Sequence, residues 1–307
     1  MKFILNALAG IWLLPLIFPF VNAQWDCPKL DPNNRDPDGI MRCPSIVDEI
    51  SAWSVFRCAN QQSNSWHFPS ENEKMYTTNM LKCFKNSINN VNNQTSKCMM
   101  DNADKLDLQM CRYTPNDGRL PYLLIYSKPG VRDYSGIFYI LRQINPSNVT
   151  VLLPHTDSDG YFNQGTACQN SNAIACFVNG HKRKAVGLGK FNDFVHSEKN
   201  LGFHAIKQFY QLFPRQAVLH MHGMKTPKIP KVLYKGRNPK FNKLFEDSVK
   251  KYTNVGTFER LGADFSVDSV VNSNNYLVTE IPSKVYGNNK FFVRNLVRDV
   301  EEWLKNN

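Results

Sequence analysis

The alternation of apolar and polar positions divides the chain into three textures. Residues 3–21 are mostly apolar, preceded by Lys2 and followed by Asn22, Ala23 and Gln24. One basic residue, an apolar stretch and a Val21-x-Ala23 ending form the pattern of a secretory signal peptide cut after Ala23. The competing reading is an uncleaved membrane anchor, since the run approaches the length that spans a bilayer. From Gln24 to Asn116 the chain is polar and asparagine-rich, with proline and aspartate turns between Asp31 and Asp38. Apolar residues at helical spacing within 46–59 and 74–91, among them Met75, Met80, Leu81, Phe84 and Ile88, predict short helices there.

After the turn-forming run Thr114, Pro115, Asn116, Asp117 and Gly118 the texture changes, and apolar runs alternate with helical segments. Tyr122 to Tyr126, Ile137 to Leu141, Thr150 to Leu153, Ala173 to Val178, Ala217 to Met221 and Tyr276 to Ile281 read as strands. Ser197 to Phe213 and Asn289 to Lys305 read as helices, the second with Leu296, Val297, Val300 and Leu304 on one stripe. Strands interleaved with helices predict an α/β fold: an open, mostly parallel or mixed sheet with helices on both faces, preceded by a small disulfide-rich, mainly helical region. The expected divisions are a signal peptide over 1–23, a cysteine-rich region over 24–116 and an α/β domain over 117–307.

Composition adds the compartment. All 8 cysteines lie beyond the leader, at 27, 43, 58, 83, 98, 111, 168 and 176. An even count in an exported chain reads as four disulfides. The simplest partition pairs Cys168 with Cys176 and leaves the other six to staple the N-terminal region, in pairings the sequence leaves open. No Cys-x-x-Cys occurs, which argues against a cysteine-based zinc site. The net charge of +11 suggests an anionic partner. Nucleic acid is not expected, because the basic residues are dispersed and no nucleic-acid-binding motif accompanies them. Two sequons, at Asn93 and Asn148, could carry glycans.

The chemistry concentrates between His155 and His222, which hold six of the 7 histidines: His155, His181, His196, His204, His220 and His222. In an open α/β sheet ligands bind beyond the carboxyl ends of the strands. His155 follows one predicted strand by two residues, with Asp157 and Asp159 close behind, so an imidazole and a carboxylate could face one ion. The alternative is a loop whose aspartates stabilise turns before Gly160. In His220-Met221-His222-Gly223 strand periodicity puts both histidines on one face; His222 should reach the rim, and His220 should be buried and satisfied by backbone. His196, Asn200 and His204 would form a polar ridge if a helix starts by His196, capped by Ser197 or Asp193, or else a solvated helix face. Asp193 could orient His196 for proton transfer, and Asn200 and His204 could contact substrate. Arg183, in the cationic turn His181 to Lys184, is the candidate carboxylate anchor, with a basic surface loop as the plain alternative. Glu280, an acid inside an apolar strand, is either paired with Lys284 or Arg294 or acts as a general base.

Taken in order, the His-x-x-x-Asp after a strand, the Gly180-His-Lys-Arg183 turn, the Asp193-x-x-His-Ser-x-x-Asn-x-x-Phe-His204 segment, the strand ending His220-x-His222-Gly and the late Thr279-Glu-Ile281 resemble the N-formylglutamate amidohydrolase and zinc carboxypeptidase-like hydrolases. The resemblance covers roughly 120–305 and leaves out the cysteine-rich region. It implies zinc held by His155, Asp159 and His222, Glu280 as the base and Arg183 holding a substrate carboxylate. One departure stands out: zinc carboxypeptidases use His-x-x-Glu for two ligands, and position 158 here is Ser. The acidic ligand is then Asp159 or Asp157. The expected function is a secreted zinc-dependent amide or peptide hydrolase for a small acidic or peptide substrate. Its rival is a non-catalytic secreted binding protein on the same scaffold.

Overall fold

The computed structural model describes residues 30–43, 67–115, 119–128, 137–154, 168, 171–179, 194–224, 231–282, 285 and 292–307. Among them are ten strands in one mixed sheet and five helices. The strands are β1 (Met41–Arg42), β2 (Leu108–Tyr113), β3 (Tyr122–Ser127), β4 (Ile137–Leu141), β5 (Ser147–Leu153), β6 (Ala173–Asn179), β7 (Ala217–Met224), β8 (Lys231–Gly236), β9 (Thr257–Arg260) and β10 (Tyr276–Pro282). The helices are α1 (Glu71–Ser87), α2 (Asn93–Lys105), α3 (Leu201–Leu212), α4 (Pro239–Tyr252) and α5 (Phe292–Asn306).

Strand order across the sheet is β1-β2-β3-β4-β6-β5-β7-β10-β8-β9. The centre, β6-β5-β7-β10, is parallel throughout. β2, β3, β4 and β6 join antiparallel on one side, and β8 joins β10 antiparallel on the other. Central strands read as unbroken apolar runs because helices cover both their faces. On one face Met80, Leu81 and Phe84 of α1, Met99 of α2 and Phe203, Ile206 and Phe209 of α3 pack on Leu123, Ile125, Leu152, Phe177 and Val278. On the other, Phe241 and Phe245 of α4 and Leu296, Val297 and Val300 of α5 pack on Leu124, Val151, Leu219, Leu277 and Ile281. The stripe foreseen on the last helix is this buried face.

The polar N-terminal region is built into the sheet: β1 and β2 continue it from β3, so the hydrogen-bonded ladder crosses residue 116. Cys43 pairs with Cys111 and Cys83 with Cys98, fastening β1 to β2 and α1 to α2. Cys168 pairs with Cys176, as the partition by spacing expects. Cys27 and Cys58, the leader and the whole of the helix expected over 46–59 lie outside the described residues. Among the described residues no cysteine is free, and no helix is long and apolar enough to cross a membrane.

Candidate functional site

Two of the expected functional side chains meet through strand register. β7 and β10 run parallel with Glu280 opposite His222, Val278 opposite His220 and Tyr276 opposite Val218. Side chains two residues apart share a face, and neighbouring strands lie about 4.8 Å apart, so His222 and Glu280 sit side by side on the face that packs against α3. Both lie at the carboxyl ends of their strands: β7 ends at Met224 and β10 at Pro282. β5 flanks β7 on its other side, with Leu152 opposite His220 and its end at Leu153. Glu280 is half-buried and His222 is buried. An imidazole and a carboxylate thus adjoin at the rim where open α/β sheets bind ligands.

An aromatic ring roofs this pair. Phe265 stacks on His222 with centroids 4.6 Å apart and rings 25° from parallel, and it touches the rings of His220 and His196 at 4.9 Å each. Three histidines from two separate segments therefore surround one apolar ring. His196 sits in the turn before α3, and its backbone carbonyl accepts a hydrogen bond from Ser266 Oγ at 3.1 Å. The polar thread continues inward from the rim. His222 Nε2 lies 2.7 Å from His220 Nε2, His220 Nδ1 lies 2.9 Å from the Tyr276 hydroxyl, and that hydroxyl donates to Asp268. His220 is fully buried as expected, and the side chains of Tyr276 and His222 lie against its ring nitrogens. Burial, and then the neighbouring Asp268 charge, push the Tyr276 hydroxyl well above its ordinary pKa, so it serves as a neutral donor.

The ridge expected along His196, Asn200 and His204 does not form. The helix starts at Leu201 because Asn200, rather than Ser197 or Asp193, is its cap: the Asn200 side-chain oxygen accepts from Gly202 N–H at 2.7 Å. Asn200 is fully buried in that role. His204 turns toward α1, with Nε2 3.0 Å from the Lys74 carbonyl and 3.2 Å from Thr78 Oγ1, so it joins the N-terminal helices to α3. His155, Asp157, Asp159, His181, Arg183 and Asp193 lie outside the described residues. Phe265, Asp268 and Tyr276 carry no sequence signal that marks them beforehand, apart from a hydroxyl at the head of an apolar strand.

Among the described residues no three His, Cys, Asp or Glu side chains group as a metal site. The expected zinc ligands are two imidazoles and a carboxylate, a donor set that suits zinc with an open position. His222, the described member, fits that role in one further respect: a second polar group engages its other ring nitrogen, which is the usual support of a metal-ligating imidazole.

Comparison with protein-family models and with curated proteins finds no match to this chain. Solved structures do match. The chain is similar to N-formylglutamate amidohydrolase from Ralstonia eutropha JMP134, at 10% identity and a TM-score of 0.37, over 56% of this chain and 99% of that one. It is also similar to a bacteriophage poly-gamma-glutamate hydrolase, at 11% identity and a TM-score of 0.35, over 59% of this chain and 94% of that one. With TM-scores below 0.5, these likenesses carry no argument about activity.

Proposed function

We propose that the protein is a secreted, zinc-dependent amide or peptide hydrolase acting on a carboxylate-bearing substrate. The observation that carries this reading is the register of β7 and β10, which puts His222 beside Glu280 at the carboxyl rim of the parallel strands. His155, Asp159 and His222 would hold the metal. A zinc ion held there supplies Lewis acidity toward the scissile carbonyl and makes a nearby water more acidic. Glu280 takes the proton from the attacking water and returns it to the leaving amine. Its position at a strand end leaves the carboxylate half-exposed, able both to meet water and to feel a low-dielectric wall. Arg183 holds the substrate carboxylate by a two-pronged contact. His196, which shares the Phe265 ring with His222, lines the same rim and positions the substrate or assists proton transfer. The signal-like leader, the paired cysteines and the cationic balance fit an exported enzyme for an anionic substrate.

Metal analysis of the purified protein, with Glu280→Gln and His222→Ala assayed on a panel of N-acyl amino acids and short peptides, tests this. The expected result is one zinc per chain in the parent and in Glu280→Gln, loss of zinc in His222→Ala, and a fall in turnover of about 10²–10⁴ in Glu280→Gln. Substoichiometric zinc in the parent, or full turnover in Glu280→Gln, overturns it.

A further inference from the structure

We infer that Tyr276 and Asp268 are positioning residues that, through His220, fix which ring nitrogen of His222 carries its proton. An ionised carboxylate only accepts hydrogen bonds, so the Tyr276 hydroxyl gives its proton to Asp268. Its oxygen is then the acceptor for His220 Nδ1–H, 2.9 Å away. A neutral His220 protonated at Nδ1 has a lone pair at Nε2. At 2.7 Å, that lone pair needs a proton from His222 Nε2, since two facing lone pairs would repel. His222 is left with Nε2–H and with its own lone pair on Nδ1.

The far end of this ladder is built to stay put. Asp268 lies in the single helical turn Ser266–Ser269, where its second carboxylate oxygen accepts from Phe265 N–H at 3.3 Å. Arg237 lies over the Tyr276 ring at 4.9 Å and donates to the carbonyls of Asp268 at 2.6 Å and Ser273 at 3.1 Å, and to that of Val271. The turn is also pinned to the segment before α3, with Val267 N–H on the Val195 carbonyl at 3.1 Å. The same short segment therefore supplies both the Phe265 roof and the Asp268 anchor. On the metal reading proposed above, on which this part rests, the ladder delivers Nδ1 of His222 as the ligating atom and orients its ring.

The test begins with metal-free protein. Long-range ¹H–¹⁵N spectra near pH 8, where an ordinary imidazole is neutral, report the protonated nitrogen of His220 and His222 directly. We expect His220 as the Nδ1–H tautomer and His222 as the Nε2–H tautomer. In Tyr276→Phe, which keeps the packed ring, both should move to exchange-averaged mixtures, and Asp268→Asn should give an intermediate result. A doubly protonated His220, the opposite tautomers, or a Tyr276→Phe spectrum unchanged from the parent overturns the inference. A second readout is zinc affinity by competition with a chelator, expected to fall about 10–100-fold in Tyr276→Phe at unchanged stoichiometry. If the parent binds no zinc, the metal reading fails while the tautomer spectra still decide the ladder.

Discussion

Replacing Asp38 by Ala tests whether the N-terminal region belongs to the same cooperative unit as the strands that carry His222 and Glu280. Asp38 lies just before β1 and clamps Arg112 of β2: Arg112 Nη1 donates to Asp38 Oδ1 at 2.6 Å and Nη2 to Oδ2 at 2.7 Å. Ser96 of α2 donates to the same carboxylate. Arg112 also reaches Asp36 at 2.9 Å and the Gln143 side chain, between β4 and β5, at 3.0 Å. The side chains of Arg112 and Asp38 are only 11% and 9% exposed, so removing one partner carries the cost of a buried pair, about 3–5 kcal/mol. Arg112 keeps Asp36 and Gln143 in the variant, which sets the estimate at the lower end, about 3 kcal/mol. At about 2–4 °C per kcal/mol for large domains, calorimetry of the disulfide-intact protein should show one transition lowered by roughly 6–12 °C. The pH dependence carries a sign. Burial alone would raise the Asp38 pKa, but hydrogen bonds from Arg112 and Ser96 and the Arg112 charge outweigh it and leave the carboxyl below its usual value. A group depressed in the fold contributes stability above its unfolded pKa of about 3.9 and loses it as pH falls through the folded value. The parent-minus-variant gap should therefore hold from neutral pH to about pH 5 and close only in stronger acid. A new low-temperature transition beside an unmoved main one would refute the reasoning, because the N-terminal region would then unfold as a module on its own.

Two further substitutions probe the elements around the site. Burial lowers the His204 pKa despite its hydrogen bond to the Lys74 carbonyl; the unfolded chain then takes up this proton first, so stability is full above about pH 6.5 and falls as pH drops below it. Urea midpoints near pH 7.5 and pH 5.5 should differ more in the parent than in His204→Gln, and equal differences would contradict this. Phe265→Leu keeps an apolar side chain under the histidines but removes the flat face 4.6 Å from His222; zinc titration should show weaker binding for a stability loss of about 1–2 kcal/mol.

The middle strands of the sheet were legible because burial on both faces forces continuous apolar runs, and β3, β4, β6, β7 and β10 begin where those runs begin. β8 and β9 gave no such signal. Lys231, Lys235, Glu259 and Arg260 interrupt them, as suits strands at and beside an edge whose side chains face water. The start of α3 was misplaced by four residues for a local reason: Asn200 bonds the backbone two residues on, and that contact competes with helical continuation upstream. The integration of residues 41–43 and 108–113 into the sheet was hidden because Arg112 and the cysteines there make the strands look like loops. Of the candidate site, the positions of His222 and Glu280 near strand ends were legible, but that their two strands adjoin is set by a sheet order neither apolar run reveals. The ladder behind it could not be read, since it depends on a turn at Ser266–Ser269 that comes to rest beside Tyr276.

Register explains why that ladder runs inward from the rim rather than across it. On the α3-facing side, β7 presents Val218, His220 and His222 while β10 presents Tyr276, Val278 and Glu280. Near its carboxyl end each strand presents a polar side chain, His222 and Glu280, one step short of Met224 and Pro282, and these can be solvated or can face a ligand. One step inward, Val278 adjoins His220, and an unsatisfied imidazole there would cost several kcal/mol. β10 offers no polar group at that level. His220 is therefore held along its own face, by His222 toward the rim and by Tyr276 toward the strand's start, and the hydroxyl of Tyr276 needs an acceptor in turn. Asp268 is that acceptor, and its carboxylate gives the whole thread a direction. A Val at 220 would remove the burial cost and the direction of the thread together.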